Sequence, residues 1–371
     1  MSTRTFRKYL LPGFVFQSVV IAGGYGTGRE IVEFFLSLGP AAGLLAMLLV
    51  SMVIWSLVSA VSFEFARRFR TYEYRSFFRR LLGRGWLSFE VTYIVFLFLV
   101  LAVIAAAAGS ILEETFGLPY SLGVLAIMLA VGVLLFHGSA VIERVLAAWS
   151  IVLYAVYAVL FVWSFVRFGS QISAALTAEP VRSGWAISGL KYAAYNLATI
   201  PVVLFVVRHI ETRREAVGAG LLAGLIGILP ALLFYFAMVA HYPEIVTRPV
   251  PANHVLEALG SRAFQVIFQI VLFGTLIETG TGMIHAVNER LAATFSERGR
   301  RLPRSVRPAT AVVFLLVAGL LARVGLVDLI ARGYGTITWV FLAIYVIPIL
   351  TIGVWILLKG PGRPAGSSPS D

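Results

Sequence analysis

The chain has 371 residues, 59% hydrophobic and 13% charged, with a mean hydropathy of +0.90. A soluble domain carries about 25% charged residues, so a soluble enzyme is excluded, and the net charge of +12 sits in loops between apolar spans rather than on a nucleic-acid-binding face. Cysteine is absent, which removes disulfides and thiolate metal chemistry.

The N-terminus is basic (Arg4, Arg7, Lys8), but no small-residue cleavage site follows, so the first helix is expected to be retained. Crossing the hydrocarbon core takes about 20 apolar residues. Ten segments qualify, near 11–38, 40–63, 87–112, 119–137, 146–167, 186–208, 217–240, 262–289, 307–324 and 334–358. The fold class expected is therefore an all-α polytopic membrane protein, a single transmembrane domain over 1–371.

Span 1 is interrupted. It spells Ala22-Gly23-Gly24-Tyr25-Gly26-Thr27-Gly28-Arg29-Glu30 between two apolar runs, with Glu33 close behind. Glycine is a poor helix former. In lipid, unpaired backbone survives only where it lines a cavity or a ligand. Close packing of a glycine-rich helix on a neighbour is the other reading.

After span 2, Tyr72 to Leu82 alternates Phe77, Phe78, Leu81 and Leu82 with Arg75, Arg79 and Arg80, the pattern of a short helix on the inner membrane surface. Span 6 carries Tyr195-Asn196 and then Pro201, which lacks an N–H and disfavours helix at Ile200. Lys191 near the outer end of that span is expected to snorkel. Ala252 to Leu259 reads as a short outer helix after Pro249 and Pro251. In span 8, Glu278 lies near mid-depth on a polar stripe flanked by Thr279. The tail, 361–371, is disordered by composition.

Arginine and lysine placement sets orientation. With the N-terminus inside, 22 of the 30 basic residues fall in cytoplasmic segments, six outside and two within spans. Both termini are then cytoplasmic. Ten spans divide into five plus five, and an odd number per half inverts the second copy: repeat 1 about 11–167 and repeat 2 about 186–358. Inverted repeats with corresponding interrupted helices characterise many secondary transporters.

At these two interrupted spans the sequence resembles the LeuT-fold transporters of the amino acid–polyamine–organocation superfamily, and more closely the YkvI-like amino-acid permeases. The resemblance rests on the run from Ala22 to Glu30, on Tyr195-Asn196 and on Glu278-Thr279-Gly280-Thr281-Gly282. It spans essentially the whole chain and implies the bacterial inner membrane, with a neutral polar residue where Arg29 stands. It implies alternating access around a midplane site, with span 8 beside the broken span 1 and helping to bind a coupling cation. Relatives that use a lysine from helix 5 in place of sodium have no counterpart here, since span 5 contains none.

Unpaired N–H groups after Gly26 would meet a solute carboxylate, and carbonyls near Ala22 to Gly24 would meet an ammonium or cation. The solute site expected is Gly23, Gly24, Tyr25, Gly26, Thr27, Gly28, Glu30, Tyr195 and Asn196. Ala22, Glu278 and Thr279 are the candidates for a sodium ion or proton, although a structural hydrogen bond also explains Glu278. Arg29 and Glu33, four apart, form either a structural pair or an outer gate. No enzyme activity, cofactor or resident metal is expected, because the histidines are scattered mostly at span ends. A proton- or sodium-coupled transporter of a small amino acid is the function implied. A nutrient-sensing receptor of the same fold is the alternative. The partners expected are a small solute and the bilayer, with no nucleic acid.

Overall fold

The computed structural model describes residues 3–21, 23–136, 139–297, 299, 303 and 305–359. Ala22 and the tail 361–371 lie outside them. Among the described residues every regular element is helical. The first apolar run forms three pieces: α1, Leu11–Val20; a single turn α2, Gly23–Gly26; and α3, Arg29–Phe34. Gly28 separates the last two at φ 81°, a left-handed conformation that costs residues with a Cβ about 1–2 kcal/mol.

The chain continues through α4, Pro40–Phe69; α5, Tyr74–Leu82; α6, Trp86–Phe116; α7, Tyr120–Phe136; and α8, Ser139–Ala178, which bends at Phe168. The second half opens with α9, Trp185–Asn196, a 3-10 turn at Leu197–Thr199, and α10, Ile200–Val207. Pro201 lies in the first turn of α10, where its missing N–H is tolerated. Then follow α11, Arg213–Val239; α12, Pro251–Leu259; α13, Arg262–Glu297; α14, Val306–Leu321; and α15, Leu326–Lys359.

By length and composition, eight described stretches suffice to cross a membrane: α4, α5 with α6, residues 155–178 of α8, α9 with α10, α11, α13, residues 306–324 and α15. The trisected first run and the shorter apolar stretch Tyr120–Leu135 fall outside that set.

Close backbone approach organises the centre. A Cβ on Gly220 of α11 would collide with the main chain of Ala60 on α4 and lie 2.7 Å from the carbonyl carbon of Ser59. Small residues allow such contact where lipid supplies no hydrophobic drive. The helix expected over 72–82 starts at Tyr74, because Glu73 caps it by accepting the amides of Arg75 (2.9 Å) and Ser76 (3.1 Å). Its apolar face packs on protein and not on headgroups: Phe78 is buried, stacks on Phe89 and meets Tyr345 edge-on.

An ionic tie joins the chain start to the segment after α10. Lys8 contacts Glu211 and Glu215 at 2.8 Å each, and Arg4 reaches Glu211 at 3.0 Å. Arg67, paired with Glu64, donates to the Glu211 carbonyl at 3.0 Å. The hydrogen bond from Lys8 holds the Glu211 carboxyl below its ordinary 4.5, and Glu211, then Glu215, hold Lys8 above its ordinary 10.5. The lowered acid contributes above 4.5 and loses its contribution as pH falls through the folded value. The raised base contributes below 10.5 and loses it on the alkaline side. Amide exchange over residues 3–10, corrected for its intrinsic rate, is therefore expected to quicken as pH drops from about 5 to about 2. Lys8→Ala should flatten that dependence, and an unchanged dependence in Lys8→Ala would locate the pH effect elsewhere.

Candidate functional site

Glu30 follows the left-handed turn at Gly28, and its side chain turns back over α2. It is buried, at 2% exposure. One carboxylate oxygen accepts the Tyr195 hydroxyl at 2.5 Å, and the carboxylate also takes the Tyr25 amide. A Cβ on Gly24 would collide with the other oxygen and lie 2.8 Å from the Glu30 Cγ. Glycine at 24 is what lets the carboxylate rest on the backbone.

Tyr195, near the end of α9, stacks on Tyr334 of α15 with centroids 4.6 Å apart and 20° between planes. Tyr192 meets Tyr195 edge-on at 5.7 Å. A π-helical turn, Leu329–Tyr334, presents Tyr334 here, and Ile330 of the same turn crowds Gly24. Such wide turns recur at functional sites. The two interrupted helices thus meet through one carboxylate and one phenol inside an aromatic wall. A buried carboxylate is costly unless a cation, a proton or further donors accompany it.

The amides expected to stand unpaired after Gly26 are engaged. Thr27 N–H donates to Gly23 O (3.3 Å), Gly28 N–H to Tyr25 O (2.9 Å) and Arg29 N–H to Thr27 Oγ1 (3.3 Å). The Thr27 hydroxyl donates to Gly24 O at 2.9 Å. The carboxyl group seated at the break is the chain's own Glu30. Gly23 packs on Ile104 and Leu276, and Gly26 packs on Leu272. Asn196 is buried, but its side-chain amide donates to Tyr192 O of its own helix at 3.0 Å.

Arg29 is also buried and pairs with Glu33 at 2.7 Å. Its other terminal nitrogen donates to the carbonyls of Val246 (2.8 Å) and Arg248 (3.1 Å). Ala252 N–H donates to Thr27 O at 2.9 Å, so the connection before α12 and the start of that helix are both fastened to the broken segment. Arg29 and Glu33 therefore serve at least as an anchor for this connection.

Glu278 and Thr279 stand differently. Leu272 and Leu276 are the α13 side chains against Gly26 and Gly23. At about 100° per residue, Glu278 projects roughly 140° away from that face. It is half-buried. Thr279 turns its hydroxyl onto Thr275 O at 3.0 Å. On helix register alone, the Glu278 position thus lies on a different side of α13 from the two leucines that pack on Gly23 and Gly26.

Sequence reasoning missed Tyr334, Tyr192 and Tyr157, whose hydroxyl donates to Gly26 O at 3.2 Å. One signal was available for Tyr334: Gly24-Tyr25-Gly26-Thr27 recurs letter for letter as Gly333-Tyr334-Gly335-Thr336. Nothing comparable marks Tyr157.

No protein-family profile matches the chain. It is 23% identical over 353 residues to the uncharacterized membrane protein YkvI of Bacillus subtilis (strain 168), across 94% of this chain and 96% of that one. Among solved structures it resembles the Eremococcus coleocola manganese transporter in complex with an aromatic bis-isothiourea compound. That match has a TM-score of 0.52 and 15% identity, over 94% of this chain and 79% of the other. Two point mutants of that transporter match equally well, at TM-score 0.52 and 17% identity over 93% of this chain and 78% of theirs. The chain shares the fold of a multi-pass membrane protein; identities this low speak to fold alone.

Proposed function

We propose that the chain is a secondary active transporter of a small amino acid or related organic solute, coupled to a proton or sodium ion. Ten spans, two five-span repeats of opposite orientation and cytoplasmic termini in a bacterial inner membrane complete the reading, with the LeuT-like site at the two interrupted helices. The observation that carries it is the buried Glu30 carboxylate, seated on the first interruption and hydrogen-bonded to Tyr195 beside the second.

The chemistry is an exchange of partners. A proton, sodium ion or solute ammonium beside Glu30 neutralises the carboxylate. Displacement of Glu30 from the backbone then frees the Tyr25 amide for the solute's own carboxylate. Gly23 to Gly28, Glu30, Tyr195 and Asn196 frame the solute, and Ala22, Glu278 and Thr279 are the candidates for a coupling ion or proton. A divalent metal suits the site poorly as solute. Hard cations are held by carboxylates together with carbonyl and water oxygens, and among the described residues no group of three or more His, Asp or Glu side chains that could hold a metal gathers.

Purified protein in liposomes is expected to exchange one small amino acid in counterflow, and the same solute at 100 times its dissociation constant should add about 2.7 kcal/mol of stability. Stabilisation without counterflow would instead make the chain a receptor of the same fold. Stabilisation by manganese and by no amino acid would overturn the solute class.

A further inference from the structure

A cavity of about 540 Å³ lies between α1, α8 and α11, within the range of small-molecule sites. Val162 and Val166 on its wall are 65% and 83% exposed, so it opens sideways, toward the hydrocarbon of a bilayer. Tyr157, Phe161 and Phe165 recur at four-residue steps along α8 and make one aromatic wall, with Leu229 and Leu233 of α11 opposite. Among the described residues no side chain lining it is charged.

One lining residue does not fit an apolar cleft. Gln17 of α1 is 6% exposed, and its Oε1 is buried without a hydrogen-bond partner among the described residues. A carboxamide oxygen is an acceptor, and leaving it unpaired in an apolar setting is costly. A lipid acyl chain would fill the volume and leave that cost in place. A hydroxyl, which both donates and accepts, would relieve it.

The geometry points to a binding site for an uncharged amphiphile from the bilayer, its apolar body against the α8 aromatic wall and a single hydroxyl on Gln17. The occupant would bear on both sides of the break: on Ile21, just before it, and on Tyr157, whose phenol holds Gly26 O. The site stands on its own geometry and does not depend on the transport reading.

The test uses the full chain in nanodiscs and a photoreactive decanol. Label is expected within 153–166 and 229–233, competed by decanol and poorly by decane. Gln17→Leu should weaken decanol competition about five- to tenfold, the worth of one hydrogen bond. Ala158→Trp, at an exposed lining position, should abolish labelling by filling the cleft. The wild-type map alone decides the site: label spread over all lipid-facing helices overturns it. Equal competition by decane, or no change in Gln17→Leu, overturns the role of the hydroxyl.

Discussion

Glu30→Gln is expected to end coupled transport while leaving the protein folded. Glutamine matches glutamate in shape, and its carbonyl still accepts from the Tyr195 hydroxyl now 2.5 Å from the carboxylate. What disappears is the negative charge that would hold a proton, sodium ion or ammonium. Removing one partner of a buried, hydrogen-bonded charge pair costs about 2–5 kcal/mol, so solute or ion affinity should fall at least about 30-fold. Uptake against a gradient should be lost. Gly24→Ala gives an independent reading, because the added methyl collides with the same carboxylate and pushes it off the backbone. It should impair binding with the charge intact. Concentrative uptake by Glu30→Gln at the wild-type rate would remove Glu30 from the mechanism.

Gly220→Ala should destabilise the protein even though alanine favours helix by about 1 kcal/mol. The new Cβ meets backbone of Ala60 and Ser59, which cannot rotate aside. Overpacking costs about 1–3 kcal/mol, and with main chain on the far side the upper end applies, so the strain outweighs the helix propensity. The control is Gly282→Ala on α13, where nothing lies within 4 Å of the new methyl. There the gain in propensity, up to about 1 kcal/mol, should appear undiminished. Thermal unfolding in detergent should move the two variants in opposite directions. A Gly220→Ala midpoint at or above wild type would mean that α4 and α11 separate more readily than their contact implies.

Much of this arrangement was legible in residue order because its causes are local. Four glycines in six positions foretold the break in the first run, and Pro201 foretold the interruption at Leu197–Thr199. The four-residue spacing of Arg29 and Glu33 foretold their pair. The helices at 74–82 and 251–259 followed from amphipathic alternation and from proline. The site's interior was not legible, because it depends on distant pieces meeting. That Glu30 occupies the position expected for a solute carboxylate depends on the φ of Gly28 and on contacts with Tyr195 and Ile330. Glu278 lies at a plausible depth, but its facing is a matter of rotation about α13. Tyr157 has no sequence mark, since a tyrosine in an apolar helix is ordinary until its hydroxyl finds a carbonyl.

The fastening of Arg29 to the carbonyls of Val246 and Arg248, with Ala252 on Thr27 O, has a kinetic corollary. If this segment frames a solute, as proposed, it cannot swing away until the 246–252 connection lets go, and escape of that solute on this side would share its barrier with the unfastening of the connection. An antibody fragment gripping 244–250 would then arrest the cycle at that step with the solute trapped inside, slowing its exit without competing for its place.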